Sequence, residues 1–326
     1  MTDRFKTRAE DIAEQERKIQ AGIDAKGSAK SKPEGAVQAG ARKYPEPPFP
    51  KQHQKKPGEE FRLDPAPLYG APFWKGSGKL DGMAAIITGG DSGIGRAVAV
   101  LFAREGCDIA LCHLDEDRDA EDTRAAVEAE GRKAIVLKGD VSDPAFSEEA
   151  VKATLDAFGR LDVVVPNAAF QEHVEALEDL TFEHFDRTLK TNLYGYFNLV
   201  KAAVPHLKPG ASIVMTGSVT GIMGNEALLD YSMTKGGIHA FARSLGTHLA
   251  PKAIRVNVVA PGPVWTPLNP ADKDSEATSK FGSQTVMKRP AQPEEIAPAY
   301  VFLASPQCSS YITGEVLPII GGYGGG

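Results

Sequence analysis

Cysteine is scarce in this chain: three among 326 residues, Cys107, Cys112 and Cys308. An odd number with no C-x-x-C pair excludes a disulfide framework and a zinc knuckle, and leaves the three as core filler or free thiols. Long apolar runs are also missing. The stretch from Ile254 to Val264 is interrupted by Arg255, Asn257 and two prolines, and falls well short of the ~20 apolar residues of a bilayer span. The first twenty residues are dense in Lys, Arg, Glu and Asp rather than apolar, so no secretory signal is read there and the cytoplasm is the expected compartment. Neither His-Glu-x-x-His nor Gly-x-Ser-x-Gly occurs, which removes the zinc and serine hydrolase classes. What remains, 42% hydrophobic and 25% charged residues, is ordinary globular composition.

Charge divides the chain. Residues 1 to 58 hold 13 Lys and Arg against 8 Asp and Glu, net +5; because the whole chain is -6, residues 59 to 326 carry -11. Within the basic part, Arg8 to Gln20 is polar and helix-prone. The Gly/Ala/Ser/Lys-rich run Ala21 to Gly40 has too little apolar surface to offset its ordering entropy. The segment Tyr44-Pro45-Glu46-Pro47-Pro48-Phe49-Pro50 is extended by its prolines and carries two aromatics. Residues 1–77 are therefore expected as a basic, Pro-rich N-terminal arm, either solvated or wrapped on the body or a neighbouring subunit, and residues 78–326 as one domain. The acidic body argues against nucleic acid as a partner, and no membrane partner is expected.

From Gly78 onward, apolar β-rich runs alternate with helical patterns. Strands are predicted at Met83 to Thr88, Asp108 to His113, Ala134 to Gly139, Leu161 to Pro166, Ser212 to Ser218, Ile254 to Ala260 and Glu315 to Ile319. Helices are predicted near Gly93 to Glu105, Asp119 to Glu130, Phe146 to Phe158, Phe182 to Leu207, Tyr231 to Leu249 and Pro293 to Ala304. Near-continuous apolar strands imply burial on both faces, and strand-helix alternation implies right-handed crossovers. The predicted fold is α/β, a doubly wound seven-stranded parallel sheet.

Directly after the first strand stands Thr88-Gly89-Gly90-Asp91-Ser92-Gly93-Ile94-Gly95-Arg96, opening a helix. A diphosphate can approach a helix N-terminus only where side chains are absent, and there it meets free N–H groups and the positive dipole end. Gly89, Gly93 and Gly95 supply that clearance. The residue that reads the ribose belongs at the end of the second strand, where the chain runs Cys112-His113-Leu114-Asp115-Glu116-Asp117. Three acids, with no Arg or Lys in the few positions directly after that strand, would repel a 2′-phosphate, which favours NAD(H) over NADP(H). Asp115, Asp117 and Asp119 imitate the start of a calcium loop, but Ala120 and Ala126 stand where Gly and Glu are needed, so no metal is expected.

Tyr231 and Lys235 are four residues apart on one helix face. A fixed ammonium beside a phenol favours the phenolate, so Tyr231 is expected to have a lowered pKa and to trade a proton near neutral pH. Ser218 ends the fifth predicted strand, at the sheet edge where open parallel sheets bind ligands, and its hydroxyl can donate to a carbonyl oxygen as charge builds there.

With the glycine motif, these residues resemble the short-chain dehydrogenase/reductase family in its single-domain, Rossmann-fold branch. The resemblance covers Gly78 to about Gly322. It is carried by Thr88-Gly89 to Gly95, Asp140-Val141, Asn167-Ala168-Ala169, Asn192, Ser218, Tyr231 with Lys235, Arg255-Val256-Asn257 and Pro261-Gly262-Pro263-Val264. It implies Tyr231 as general acid/base, Lys235 as the residue that holds the nicotinamide ribose and depresses the tyrosine pKa, Ser218 as carbonyl orienter, and Asn192 as anchor of a water linking Lys235 to solvent. It implies cofactor contacts at Gly89, Asp91, Ser92, Gly93, Ile94, Gly95, His113, Leu114, Asp140, Val141, Asn167, Ala168, Ala169, Tyr231, Lys235, Pro261, Gly262, Val264 and Thr266. The implied activity is NAD(P)-dependent interconversion of an aldehyde or ketone and an alcohol. Relatives pair their long helices between subunits, which implies a homotetramer.

One departure stands out. The family's Asn-Asn-Ala-Gly or Asn-Asn-Ala-Ala after the fourth strand begins here with Pro166, which has no N–H to give. The extension, with Pro47 to His53, is similar to that of a bacterial subgroup described as aldehyde or ketone reductases or stress-associated oxidoreductases. Two other readings stay open: a non-catalytic NAD-binding sensor, and a nucleotide-sugar epimerase or dehydratase, although the glycine spacing differs from that of the latter. On the substrate side, His173 follows the Asn167 segment in a loop at the sheet edge. Met223, Trp265 and Leu268 are candidates for an apolar wall, and residues 265 to 287 for a lid over the reaction.

Overall fold

Alternating side chains of the central strands enter two different cores, which is why both faces of every central strand had to be apolar. In the computed structural model, which describes residues 8, 11–19, 21–22 and 35–322, the strands are β1 Ala84–Thr88, β2 Asp108–His113, β3 Ala134–Lys138, β4 Val163–Val165, β5 Ser212–Thr216, β6 Arg255–Pro261 and β7 Val316–Ile319. They form one parallel sheet in the order β3-β2-β1-β4-β5-β6-β7. Ala85 and Ile87 of β1, Ile109 and Leu111 of β2 and Val214 of β5 face the core built with helices Gly93–Arg104, Asp117–Ala129 and Pro293–Ala304. Ile86, Ala110, Cys112, Ile213 and Met215 face the opposite core, built with helices Pro144–Phe158, Gly195–Ala203 and Leu229–Leu249. The predicted α/β fold is the observed one. Strand order reverses between β1 and β4, the switch point at which such sheets bind ligands.

Two elements differ from expectation. The predicted helix Phe182 to Leu207 is broken into Phe182–Leu189, a π-helical turn Lys190–Tyr194, and Gly195–Ala203. The cause is local. Asn192 is turned inward to bond the backbone of Phe170 through both amide atoms, at 2.8 and 2.9 Å, and Gly195 passes so close to Val141 that a Cβ would stand 2.7 Å from its methyl. Strand β4 is shorter than predicted because the Asp162 carboxylate replaces a ladder acceptor, taking the Ala84 N–H at 2.9 Å, while Pro166 ends the ladder.

The chain separates into two units, residues 1–37 and 38–326. In the first, residues 11–19 are helical and Lys18 pairs with Glu14 at 2.8 Å; most of the Gly/Ala/Ser/Lys-rich run, residues 23–34, lies outside the described residues. Residues 38–77 belong to the second unit and run as a strap over the α/β layers. Phe49 is buried against Trp265, ring centroids 4.3 Å apart, and its backbone exchanges bonds with Ser279 at 2.8 and 2.7 Å. Trp265 Nε1 donates to Pro65 O at 2.8 Å, and Gln54 N to Pro270 O at 2.9 Å. Arg42 grips Glu294 with two bonds of 2.8 and 2.6 Å. Among the described residues no helix is long and apolar enough to cross a membrane.

The strap thus pins the segment Trp265 to Phe281. Phe49→Ala should cost about 3 kcal/mol of stability in urea unfolding and should open residues 265–281 to protease; unchanged digestion would show that the strap does not hold that segment.

Candidate active site

A cavity of about 1410 Å³ opens along the C-terminal ends of β1, β4, β5 and β6. Its floor is tied together by a short chain of side chains. Thr88 Oγ1 accepts the N–H groups of Asn167 and Ala168 at 2.9 and 3.1 Å, and Asn167 Nδ2 donates to Thr88 O and Gly89 O at 3.0 and 3.1 Å. Thr216 Oγ1 donates to Asn167 Oδ1 at 2.9 Å. At Pro166 the carbonyl still accepts Thr216 N at 3.0 Å, and Asn167 makes the other ties at this strand end.

At one end lies the glycine loop. Gly89 and Gly93 have φ of +60° and +52°, and a Cβ on Gly93 would meet the Thr266 methyl at 2.9 Å, across the space a ligand would need. On Gly95 a Cβ would stand 1.9 Å from Gly89 O, so the helix start can approach the loop only as glycine. Such a cradle, backbone without side chains at a helix N-terminus, fits a dinucleotide's diphosphate. Arg96 holds it from behind: its Nε donates to Asp91 O at 2.9 Å, and it pairs with Glu60 at 2.8 Å and Asp119 at 3.1 Å. Glu60 comes from the strap and accepts the Gly93 N–H at 2.5 Å. Burial pushes its carboxyl up to about 7, with Arg96 and the Gly93 N–H opposing.

The end of β2 holds His113, buried and kept neutral chiefly by burial, with Leu114 and Glu116 beside it in the cavity wall. Asp115 and Asp117 do not stand bare: Lys138, at the end of β3, reaches both, at 2.9 and 3.0 Å. The repulsion expected from three unpaired acids is thereby reduced, by a lysine that is distant in sequence and adjacent only through β2–β3 pairing.

At the other end, Ser218 Oγ accepts from Thr220 N and Thr220 Oγ1 at 3.1 and 3.0 Å, so its own proton is the one it gives, in this structure to the Tyr231 phenol. His239, held down to about 4 mainly by burial, stays neutral and accepts the Ser218 N–H at 3.4 Å. Lys235 is buried, donating to Thr216 O at 2.9 Å and Tyr196 Oη at 3.4 Å, with Nζ 5.4 Å from the centre of the Tyr231 ring. Burial lowers its pKa to about 7.

The Tyr231 phenol, by contrast, is raised: burial disfavours the phenolate, against a lowering hydrogen bond from Ser218. This corrects the expectation of a depressed tyrosine pKa. Desolvation outweighs an ammonium whose donors point at Thr216 and Tyr196 rather than at the phenol oxygen.

Most of the sequence-identified residues line this one cavity: Gly89, Asp91, Ser92, Gly93, Ile94, His113, Leu114, Asp140, Val141, Asn167, Ala168, Ala169, Ser218, Tyr231, Lys235, Pro261, Gly262, Val264 and Thr266. Gly95 sits beneath the loop. Asn192 is buried outside the lining and donates to Thr234 Oγ1 at 3.1 Å, next to Lys235 in sequence. Trp265 does not join Met223 and Leu268 in the wall, because it is fully buried between Phe49 and Phe281. Sequence reasoning assigned no site residue to the strap, yet Lys56, Pro57 and Gly58 line the cavity; a Cβ on Gly58 would stand 2.7 Å from Pro267 O. Phe170, Gln171 and Lys273 were also missed, since no motif marks them.

Known proteins agree with this architecture. The sequence model of a family described as enoyl-(acyl carrier protein) reductase matches residues 89–324. The chain is 48% identical over 272 residues to the uncharacterized oxidoreductase YhdF of Bacillus subtilis, covering 83% of this chain and 94% of that protein. It is 44% identical over 278 residues to the chloroplastic NADPH-dependent aldehyde reductase 1 of Arabidopsis thaliana, covering 83% and 96%. A short chain dehydrogenase from Burkholderia cenocepacia, solved in complex with NADP, superposes with a TM-score of 0.70 at 33% identity, covering 75% of this chain and 98% of that one.

Glu60 sets a pH dependence. Its carboxyl is raised in the fold from 4.5 to about 7, so the folded state favours the protonated form. The stability it contributes is complete below about pH 4.5 and is lost as pH rises through about 7. Melting temperatures taken from pH 4.5 to 8 should therefore fall less steeply for Glu60→Gln than for the wild type; parallel curves would contradict the assignment.

Proposed function

The chain belongs to the short-chain dehydrogenase/reductase family and is a nicotinamide-dependent oxidoreductase, and we propose that it interconverts an aldehyde or ketone with its alcohol, Tyr231 moving the proton. The observation that carries this reading is the convergence of the Ser218 hydroxyl proton, the Tyr231 phenol and the Lys235 ammonium on one cavity whose far end is the glycine cradle.

A bound nicotinamide dinucleotide supplies or accepts the hydride. Gly89 to Ile94 would hold its diphosphate, His113, Leu114, Asp140 and Val141 its adenosine end, and Pro261 to Thr266 with Lys235 its nicotinamide end. The chain's own work is proton handling. Ser218 donates a hydrogen bond to the substrate oxygen, which stabilises charge as it develops there. Because burial keeps the Tyr231 phenol protonated, the phenol is ready to give its proton to that oxygen in the reductive direction. Lys235, lowered to about 7 by burial, shares the buried Thr216 carbonyl with Tyr196, and its ammonium offsets the negative charge left on the phenolate once the proton has gone. Asn192 positions this helix by tying Thr234 to the backbone of Phe170. For the nucleotide, Asp115, Glu116 and Asp117 outnumber Lys138, which supports NAD(H) over NADP(H), by a smaller margin than unpaired acids would give.

Tyr194, Phe197 and Met233 leave apolar surface on the helices around residues 190–203 and 229–249, which supports a homotetramer, measurable by sedimentation. Free thiols at all three cysteines support a reducing, cytoplasmic location.

With NADH and NADPH tested separately against a panel of aldehydes and ketones, Tyr231→Phe should lower kcat/KM by about 10²–10⁴-fold. Alcohol oxidation, which needs the phenolate, should keep rising to the highest pH the fold tolerates, whereas reduction, which needs the phenol, should stay flat through neutral pH. Intact turnover in Tyr231→Phe would remove the proton-transfer role.

A further inference from the structure

Beyond the proton-transfer group, the same cavity carries cations that the reaction itself does not use. Three of them come from segments distant in sequence, Lys56 from the strap, Arg187 from the helix Phe182–Leu189 and Lys273 from the segment that the strap pins; Lys190 and Lys280 also line the cavity but are paired with Asp186 and Glu276. Lys56 Nζ donates to Gln171 O at 2.7 Å and to Asp272 Oδ1 at 3.3 Å, and lies 5.2 Å from the centre of the Phe170 ring. The Arg187 guanidinium lies 5.7 Å from the same ring.

The Lys273 ammonium is fixed by a relay. Its Nζ is 2.8 Å from His173 Nε2, and His173 Nδ1 bonds Asp272 Oδ2. An ammonium can only donate, so Nε2 is the acceptor, and the imidazole proton sits on Nδ1 and goes to Asp272. Asp272 is saturated: it also accepts His173 N at 3.0 Å and Gln171 Nε2 at 2.7 Å. Its carboxylate, side chain 1% exposed, is held down to about 2, chiefly by the hydrogen bonds of His173 and Gln171 against burial.

Asp272 thus spends its charge on Lys56 and the relay; Glu183 and Asp186 also line the cavity, with Asp186 paired to Lys190, and Lys273 has an imidazole as its hydrogen-bond partner. Among the described residues no carboxylate forms an ion pair with Lys273. A half-buried ammonium with donors to spare is stabilised by an anion that brings its own charge. The site is close to the chemistry, since Lys273 and Tyr231 line the same cavity.

We propose that Lys273 anchors an anionic group, a carboxylate or a phosphate, carried by the substrate at the end remote from its carbonyl, with Lys56 and Arg187 adding to the positive field and the His173–Asp272 pair positioning the ammonium. The substrate class is then an aldehyde, ketone or alcohol bearing a negative charge. This rests on Ser218 and Tyr231 marking the carbonyl position.

The test uses the full chain and two matched pairs: 4-carboxybenzaldehyde against benzaldehyde, and glyceraldehyde 3-phosphate against glyceraldehyde. In the wild type at least one charged member should exceed its neutral partner in kcat/KM by about tenfold or more, and the pair that shows it identifies carboxylate or phosphate as the anion. Lys273→Met should erase the difference while leaving the neutral aldehydes within about twofold, and Lys273→Arg should restore most of it. Equal rates for charged and neutral members in the wild type, or a ratio unchanged in Lys273→Met, would overturn the proposal.

A binding measurement separates this from the reaction assignment. Calorimetric titration with benzoate and with inorganic phosphate should give one of them at least about tenfold weaker binding to Lys273→Met than to wild type. Equal binding of both overturns the anion site whatever the activity, whereas retained selective binding with no turnover of any aldehyde would instead sink the carbonyl-reductase reading.

Discussion

Two hydrogen-bonding side chains, Thr88 at the end of β1 and Asn167 just past β4, hold the sheet's switch point, and the remainder of the site hangs from them. Through Gly89 O they fix the glycine loop, and through Thr216 they reach the carbonyl to which Lys235 donates. Both ends of the cavity are therefore positioned by one continuous set of bonds in a buried region, where an unmade bond is expensive and a made one is rigid. The loop's glycines are a consequence: only a chain without side chains can lie between Asn167, Ala168 and the start of the next helix.

The parts of the fold set by local periodicity were readable from the residues. Strand β2 and helix Pro293–Ala304 appear at their predicted limits, because an apolar run and a proline at the first helical position leave little freedom. The break of the long helix at Lys190–Tyr194 was not readable, since it comes from Asn192 finding Phe170, twenty-two residues away in sequence. For the site, residues embedded in motifs could be found, whereas Lys56, Glu60, Lys138 and Lys273 act through neighbours that only folding supplies. Pro166 shows the converse. A residue that looks disruptive in sequence still serves the sheet here through its carbonyl, which accepts Thr216 N.

Charge asymmetry along the chain also acquires a physical meaning. The basic segment preceding the α/β layers contributes Arg42 to Glu294, Lys51 to Glu276 and Lys56 to Asp272. Lys51 and Glu276 are exposed and add little, but Arg42 and Lys56 reach carboxylates whose side chains are fully or nearly buried, where an unpaired charge would be costly. The strap with its aromatic anchor Phe49 thus turns a segment that lines the cavity into a fixed wall.

The most direct test of the account is a crystal structure of the protein grown with a nicotinamide dinucleotide. The account predicts electron density running from the glycine loop across the switch point, with the nicotinamide ring beside Ser218, Tyr231 and Lys235. A nucleotide bound elsewhere, or a ring separated from the Tyr231 phenol by protein, would contradict it.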